Sequence, residues 1–64
     1  MSTFIERLQT EMSELDDKIE KLSEFLLSDN FMKIDSVQQT LLRIQHSAMI
    51  TYRHCLNERL SRLV

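Results

Sequence analysis

The sequence contains no glycine, no proline and no tryptophan in 64 residues. Glycine is the usual residue at the positive-φ positions of tight hairpin turns, so its absence argues against a sheet with many turns. Proline, the strongest helix breaker, is missing as well. Good helix formers such as leucine, glutamate, lysine, arginine, methionine and glutamine fill most positions instead. The composition therefore predicts an all-α protein.

Covalent and metal cross-links are also scarce. Cys55 is the single cysteine, which excludes an internal disulfide and points to a reducing compartment. One cysteine and two histidines are too few for a zinc site with four protein ligands, so we expect no metal and no cofactor. Below roughly 70–80 residues, natural scaffolds add disulfides, metals or oligomerisation. Because the first two are excluded, we expect oligomerisation.

The chain shows no targeting segment. Its N-terminus carries Glu6 and Arg7 and lacks the apolar run of a signal peptide. No stretch approaches the ~20 apolar residues of a membrane span, so we expect a cytoplasmic protein with no membrane partner. The formal net charge of −2 argues against a general coat for a DNA or RNA polymer.

The first half of the chain carries a continuous helical pattern. Its apolar residues alternate between spacings of three and four, at Ile5, Leu8, Met12, Leu15, Ile19, Leu22 and Leu26. This spacing is a heptad seam, typical of a helix that packs along a partner helix. Thr3 followed by Glu6 matches a capping box, so we predict a helix over about 4–27.

A polar segment interrupts this pattern. The sequence Ser-Asp-Asn at 28–30 favours a turn, because short polar side chains compete with the helix for backbone hydrogen bonds. We place the turn at 28–35. Phe31, Met32 and Ile34 lie within it, and we expect them to plug the closed end of a hairpin.

A second helix is predicted over about 36–63. Asp35 and Ser36 start it, with Gln38 or Gln39 as a weaker capping partner. The short connection makes the two helices antiparallel neighbours. The chain thus reads as a single helical-hairpin domain, residues 1–64.

The second helix carries more apolar surface than one partner helix can cover. Two neighbouring heptad rows contribute, the first Leu42, Met49, Leu56 and Leu63, the second Leu41, Ala48 and Cys55. Ile44 and Ile50 lie off both rows. We therefore predict that the antiparallel two-helix hairpin assembles into a homo-oligomeric helical bundle.

Charge differs between the two halves. The first helix has seven acids against three bases, whereas the chain from residue 37 onward has four arginines against one acid. Opposite signs favour pairing within the hairpin, although exposed ion pairs contribute little each.

No catalytic constellation stands out, so we expect a protein that is not an enzyme. His46 and His54 are eight residues apart with no carboxylate or nucleophile set beside them, since His54 and the adjacent Cys55 diverge around the helix. A short hairpin also lacks a pocket of its own. Tyr52 is interpreted as a core aromatic residue and Cys55 as a small buried hydrophobe. The two histidines are interpreted as solvated or interface residues.

Cations allow a sharper hypothesis. Lys18 and Lys21 stand among the acids of the first helix, and Arg7 lies near its N-terminus. Guanidinium forks match phosphate geometry, and aromatic or guanidinium planes stack on bases. In a symmetric assembly such residues recur around an axis, which suits a small, symmetric polyanion. The ordinary alternative is a set of solvated surface charges.

The sequence resembles the phage anti-CBASS cyclic-oligonucleotide sponge family, whose hairpin domain also occurs in an anti-Thoeris sponge. In the first helix the resemblance rests on Phe4-Ile5-Glu6-Arg7-Leu8, Glu11, Leu15, Lys18-Ile19, Lys21-Leu22 and Phe25. In the second helix, whose spacing is more distinctive, it rests on Gln38-Gln39, Leu41-Leu42, Gln45, Ala48-Met49, Tyr52, Leu56 and Arg59.

This resemblance implies a compact homo-oligomer, hexameric in the best-known members. Such proteins bind cyclic dinucleotides and, in some members, cyclic trinucleotides between their subunits. They do not cleave the messenger. They sequester it in the host cytoplasm, so that the host effector enzyme is never switched on.

The resemblance also implies site residues. Lys18 looks like the family's phosphate-contacting lysine, and Arg59 is similar to the arginine associated with trinucleotide sites. The base-stacking aromatic falls at Thr3 or Phe4, and we choose Phe4, although this chain has no tyrosine there. Two further cations of the first helix are supporting candidates: Arg7 and Lys21.

Two other functions are compatible with the residues alone. The first is a small homo-oligomeric protein–protein interaction module that clasps a partner helix and has no nucleotide ligand. The second is nucleic-acid contact through the arginine-rich second helix, which the acidic first helix opposes.

Overall fold

The computed structural model describes residues 3–63, and these form three helices. Helix α1 spans Phe4–Leu26, α2 spans Asp29–Met32 and α3 spans Ser36–Leu63, with no strand among the described residues. The chain measures 44 × 19 × 15 Å along its principal axes. The prediction of an all-α chain built on a long helix pair is confirmed, whereas assembly into an oligomer stays a prediction.

The N-terminus of α1 is held by the predicted capping box. The Thr3 hydroxyl oxygen accepts a hydrogen bond from the Glu6 amide at 3.1 Å, and the Thr3 amide donates to the Glu6 carboxylate at 3.1 Å. These two bonds satisfy donors that the first turn of a helix otherwise leaves unpaired. The helix therefore begins at Phe4, as the sequence predicts.

The core lies where the α1 seam meets the middle of α3. Leu8, Leu15 and Leu56 are buried, and Leu56 is fully enclosed at 0% exposure. Four partly buried side chains pack around them: Met12, Ile19, Met49 and Leu60. The seam of α1 thus faces the Leu56 side of α3. Burying a leucine stabilises the fold by about 1.5–3 kcal/mol, so a few residues supply much of the driving force.

Two polar contacts fix the antiparallel alignment. Ser23 on α1 hydrogen bonds to the His46 ring on α3 at 2.7 Å, and Asp16 forms an ion pair with Arg53. Because both side chains of the ion pair are nearly half exposed, it contributes little stability. Residue 23 of α1 lies beside residue 46 of α3, and residue 16 of α1 lies beside residue 53 of α3. Because the residue number falls along α1 as it rises along α3, the two helices are antiparallel.

The closed end of the hairpin is filled by Phe31. Its ring is 1% exposed and packs edge-on against Phe25, with centroids 6.0 Å apart at 89°. The Arg43 guanidinium lies 5.0 Å from the same ring. The predicted plug is confirmed for Phe31 but wrong for Met32, which is 70% exposed because it points away from both long helices.

The connection differs from the predicted simple turn because it contains α2. Ser28 caps this short helix: its hydroxyl oxygen accepts a hydrogen bond from the Phe31 amide at 3.4 Å, and its O–H group donates to the Phe25 carbonyl at 2.6 Å. The Gln39 side chain donates to the carbonyls of Phe31 and Ile34, each at 3.1 Å. Gln39 therefore holds the connection and is not the predicted capping partner.

Two predicted core residues of α3 lie at the surface of the chain. Tyr52 is 45% exposed and Cys55 is exposed, so both core interpretations are wrong for the single hairpin. The reason is geometric: α1 covers only the side of α3 that carries Leu56. A helix turns about 100° per residue, so the neighbour Cys55 already points elsewhere.

The hairpin exposes more surface than a compact chain of its mass. Its solvent-accessible area is 5050 Å² for 7.6 kDa. Globular monomers of that mass expose about 4300 Å². The excess reflects a two-helix layer with nothing packed on its outer faces.

Truncation of Leu56 tests the core. We expect Leu56→Ala to lower the free energy of unfolding by about 2–5 kcal/mol, because it opens a cavity at the most enclosed position. Urea titration followed by circular dichroism at 222 nm measures it.

The matched control is Leu27→Ala, at a leucine that is 89% exposed. We expect a change within about 0.5 kcal/mol there. Equal effects of the two truncations would contradict the position of the core.

Candidate functional site

The open end of the hairpin brings two of the predicted site residues together. The Arg59 guanidinium lies over the Phe4 ring, 5.7 Å from its centroid. Phe4 is the first residue of α1 and Arg59 lies near the end of α3, so antiparallel packing creates this contact. Phe4 stays 57% exposed, which leaves part of its ring open to a ligand.

The other predicted residues lie along α1. Arg7 is one turn beyond Phe4. Lys18 lies ~21 Å from Phe4 along the helix axis, and Lys21 lies ~26 Å from Phe4. All three cations are exposed. One chain therefore divides the predicted site into an open-end group, Phe4 with Arg7 and Arg59, and a mid-helix group, Lys18 with Lys21.

Within residues 3–63, none of the predicted site cations forms an ion pair with an acid. Residues 3–63 contain two ion pairs, Asp16 with Arg53 and Glu58 with Arg62, the latter at 3.9 Å. Neither pair includes a predicted site residue. A phosphate would therefore meet cations whose hydrogen-bond donors are free of carboxylate partners, which favours charge-assisted binding.

Sequence reasoning missed two side chains that share a face with Arg59. Gln45 and Tyr52 precede it at intervals of seven residues, and residues seven apart lie on the same side of a helix. Both are exposed. The interval was visible in the sequence, but the apolar rows beside it led to Tyr52 being interpreted as core.

A matching row runs along α1. Phe4 and Lys18 are separated by two heptads, with Glu11 midway between them. Because Phe4 contacts Arg59, this α1 row and the α3 row of Arg59 lie along the same edge of the hairpin. The edge combines an aromatic ring, a phenol, an amide and two cations, the groups that recognise bases and phosphates. We call it the recognition edge: Phe4, Lys18, Gln45, Tyr52 and Arg59.

The comparison with protein families identifies the chain. The family model described as Sequestin matches residues 2–62. The chain belongs to the Sequestin family. It is also similar to an uncharacterized 7.5 kDa protein of the denB–rIIB intergenic region of Enterobacteria phage T4, with 36% identity over 61 residues that cover 95% of each chain. No solved structure matches.

Membership of the Sequestin family indicates a phage sequestering protein. In this member, residues 3–63 enclose no cavity and bring together no group of three potential metal ligands. Within the same range, no helix has the length and apolar content to cross a membrane. The candidate site of this Sequestin member is thus an exposed edge.

A double-mutant cycle tests the contact between Phe4 and Arg59. We expect Phe4→Ala and Arg59→Ala to couple by about 0.5–1 kcal/mol in the free energy of unfolding, as exposed cation–π pairs do. Chemical denaturation of the two single variants and the double variant measures the coupling.

The control cycle combines Phe4→Ala with Arg43→Ala, whose guanidinium lies over a ring at the opposite end of the hairpin. Distant sites add, so the coupling there is expected to be close to zero. The same coupling in both cycles would mean that the observed contact is not responsible for it.

Proposed function

We propose that this protein binds and sequesters cyclic oligonucleotide second messengers, cyclic dinucleotides, cyclic trinucleotides or both, without cleaving them. The observation that carries the proposal is the exposed Phe4 ring stacked with Arg59, in line with Lys18 on one edge of a hairpin from a phage sequestering family. The cell compartment is the cytoplasm of the host.

The chemistry of the recognition edge suits such ligands. A cyclic oligonucleotide presents base faces and phosphodiester anions in a small ring. Aromatic rings stack on the faces, while guanidinium and ammonium groups donate charge-assisted hydrogen bonds to the phosphates. An arginine already oriented over a ring loses less conformational freedom when it binds, so more of the interaction energy remains as affinity.

The division of the site favours binding between copies. Lys18 is ~21 Å from Phe4 along α1, too far for one small ring to reach both within a chain. A neighbouring copy can supply the missing cation, and symmetry then repeats each contact for each phosphate. We propose a homo-oligomer, hexameric as the resemblance implies, with ligand sites at its interfaces. A membrane and DNA or RNA polymers are not among the proposed partners.

Sequestration requires affinity and no bond cleavage. To compete with a host sensor, the protein must bind its messenger with a nanomolar dissociation constant, which corresponds to a binding free energy of about −12 kcal/mol. Charge-assisted bonds that are screened from water at an interface are strong enough to contribute substantially.

A second candidate function rests on the exposed apolar residues of α3. Val37, Leu41 and Ile44 are between 51% and 61% exposed, which also suits a protein–protein interaction module. This module would give no heat with any nucleotide and would bind a discrete partner protein.

Titration calorimetry with a panel of cyclic di- and trinucleotides tests the proposal. We expect nanomolar binding of at least one of them by the parent protein. Removal of either cation, in Lys18→Ala or Arg59→Ala, is expected to weaken binding by about 10–100-fold, the value of one or two charge-assisted hydrogen bonds.

Arg43→Ala is the matched control, because it removes the same charge from an arginine that also stacks on a ring, at the other end of the hairpin. We expect it to bind like the parent. Light scattering checks that every variant keeps the parent's oligomeric state. Absence of heat with the whole panel would refute the proposed function, and parent-like binding by both site variants would refute the site.

Tyr52 offers an aromatic ring on the same face as Arg59, and we expect it to stack on a base. Tyr52→Ala is expected to weaken ligand binding by about 5–150-fold, the equivalent of 1–3 kcal/mol for one stacked base. Tyr52→Phe keeps the ring and is expected to bind nearly as well as the parent. If both variants lose affinity equally, the hydroxyl and not the ring would be the recognised group.

A further inference from the structure

Helix α3 carries a second heptad seam that α1 does not cover. Its members follow one another at intervals of four, three, four, three and four residues. We call it the outer seam: Val37, Leu41, Ile44, Ala48, Thr51 and Cys55. All six are exposed. At 100° per residue, the outer seam lies roughly 110° around the helix from the Leu56 row that packs on α1.

The outer seam has the exposed apolar side chains that suit packing against another apolar surface. Val37, Leu41 and Ile44 are each more than half exposed. Thr51 contributes no unpaired donor, because its hydroxyl donates to the Ser47 carbonyl at 3.1 Å and its methyl group is left for packing. The seam is ~27 Å long, about five helical turns. A stripe with heptad spacing over that length fits another helix with the same spacing.

We propose that the outer seam packs against the outer seam of a second copy, antiparallel, around a two-fold axis at the level of residue 46. This inference rests on the proposed homo-oligomer and specifies the surface through which two copies meet. In this register, the numbers of any two residues that face each other across the interface have the same sum. Three contacts follow, each occurring twice: Val37 with Cys55, Leu41 with Thr51, and Ile44 with Ala48.

The sizes of the side chains favour this orientation. Each contact sets a larger apolar side chain opposite a smaller one, and such alternation keeps two helices at an even distance and fills the space between them. A parallel pair would set Ile44 against Ile44 and Ala48 against Ala48. That arrangement crowds one level of the interface and leaves a void at the next, which costs packing energy.

This pairing also places the recognition edge at the border of an interface. Tyr52 directly follows Thr51, and Arg59 comes four residues after Cys55. Both residues therefore flank the outer seam. The two-fold axis gives each pair of copies two such edges.

Disulfide trapping in the full-length protein tests the pairing. Val37→Cys adds a thiol that the proposed register sets opposite the native Cys55 of the second copy. Within one chain the two positions are ~27 Å apart, so a bond between them must join two copies. Cysteines form a disulfide only when their Cα atoms are about 4.4–6.8 Å apart. We expect mild oxidation to give a covalent dimer whose peptides, mapped by mass spectrometry, link positions 37 and 55.

Two controls identify the orientation. The parent protein has only Cys55, and the antiparallel pair separates its two copies by ~27 Å, so we expect no covalent dimer. Ile50→Cys adds a thiol at an exposed position off the seam, and we expect little dimer from it. Efficient linkage of Cys55 to Cys55 in the parent, or a yield from Ile50→Cys equal to that from Val37→Cys, would overturn the proposal.

A charge at the centre of the seam provides an independent measurement. Ala48→Glu is expected to reduce the mass measured by light scattering, whereas Ser47→Glu, one residue off the seam, is expected to leave it unchanged. Circular dichroism verifies that both variants remain helical. An unchanged mass for Ala48→Glu would overturn the pairing.

Nucleotide titration of the parent separates this inference from the proposed function. Nanomolar binding together with failed trapping would refute the pairing alone. Successful trapping together with no nucleotide binding would refute the function alone.

Discussion

The burial of Leu56 against the α1 seam is the interaction on which the rest of the hairpin depends. This leucine, enclosed between Leu8 and Leu15, sets the distance and the relative rotation of the two long helices. Of the polar contacts between them, the Asp16–Arg53 ion pair is nearly half exposed and adds alignment more than stability, while the Ser23–His46 hydrogen bond is partly buried. With that alignment fixed, the ends of the helices meet, and Arg59 lies over Phe4.

The same packing leaves one apolar side of α3 uncovered. A helix pair buries one side of each helix, so the outer seam of α3 remains exposed to solvent. Cys55, which belongs to this seam, and Tyr52, which lies beside it, are both exposed. Contiguous exposed apolar surface on a protein commonly marks an interaction site. In the proposed assembly, copies that cover this surface also bring the divided cations together, so stability and ligand binding would come from the same contacts.

Membership of the Sequestin family indicates a sequestering protein. The recognition edge suits that task, because its groups can stack on bases and donate charge-assisted hydrogen bonds. In the proposed assembly, the affinity would depend on how far an interface excludes water from Lys18 and Arg59, since the strength of such bonds rises as the local dielectric constant falls.

The sequence by itself determined the two long helices, the capping box at Thr3 and the position of Phe31, because spacing and capping are local properties. Only the tertiary structure decided which row of α3 faces α1, since both neighbouring rows are apolar and the sequence does not rank them. That choice placed Leu56 inside and Tyr52 outside. It also joined Phe4 to Arg59, because a contact between residues so distant in sequence depends on how the helices pack.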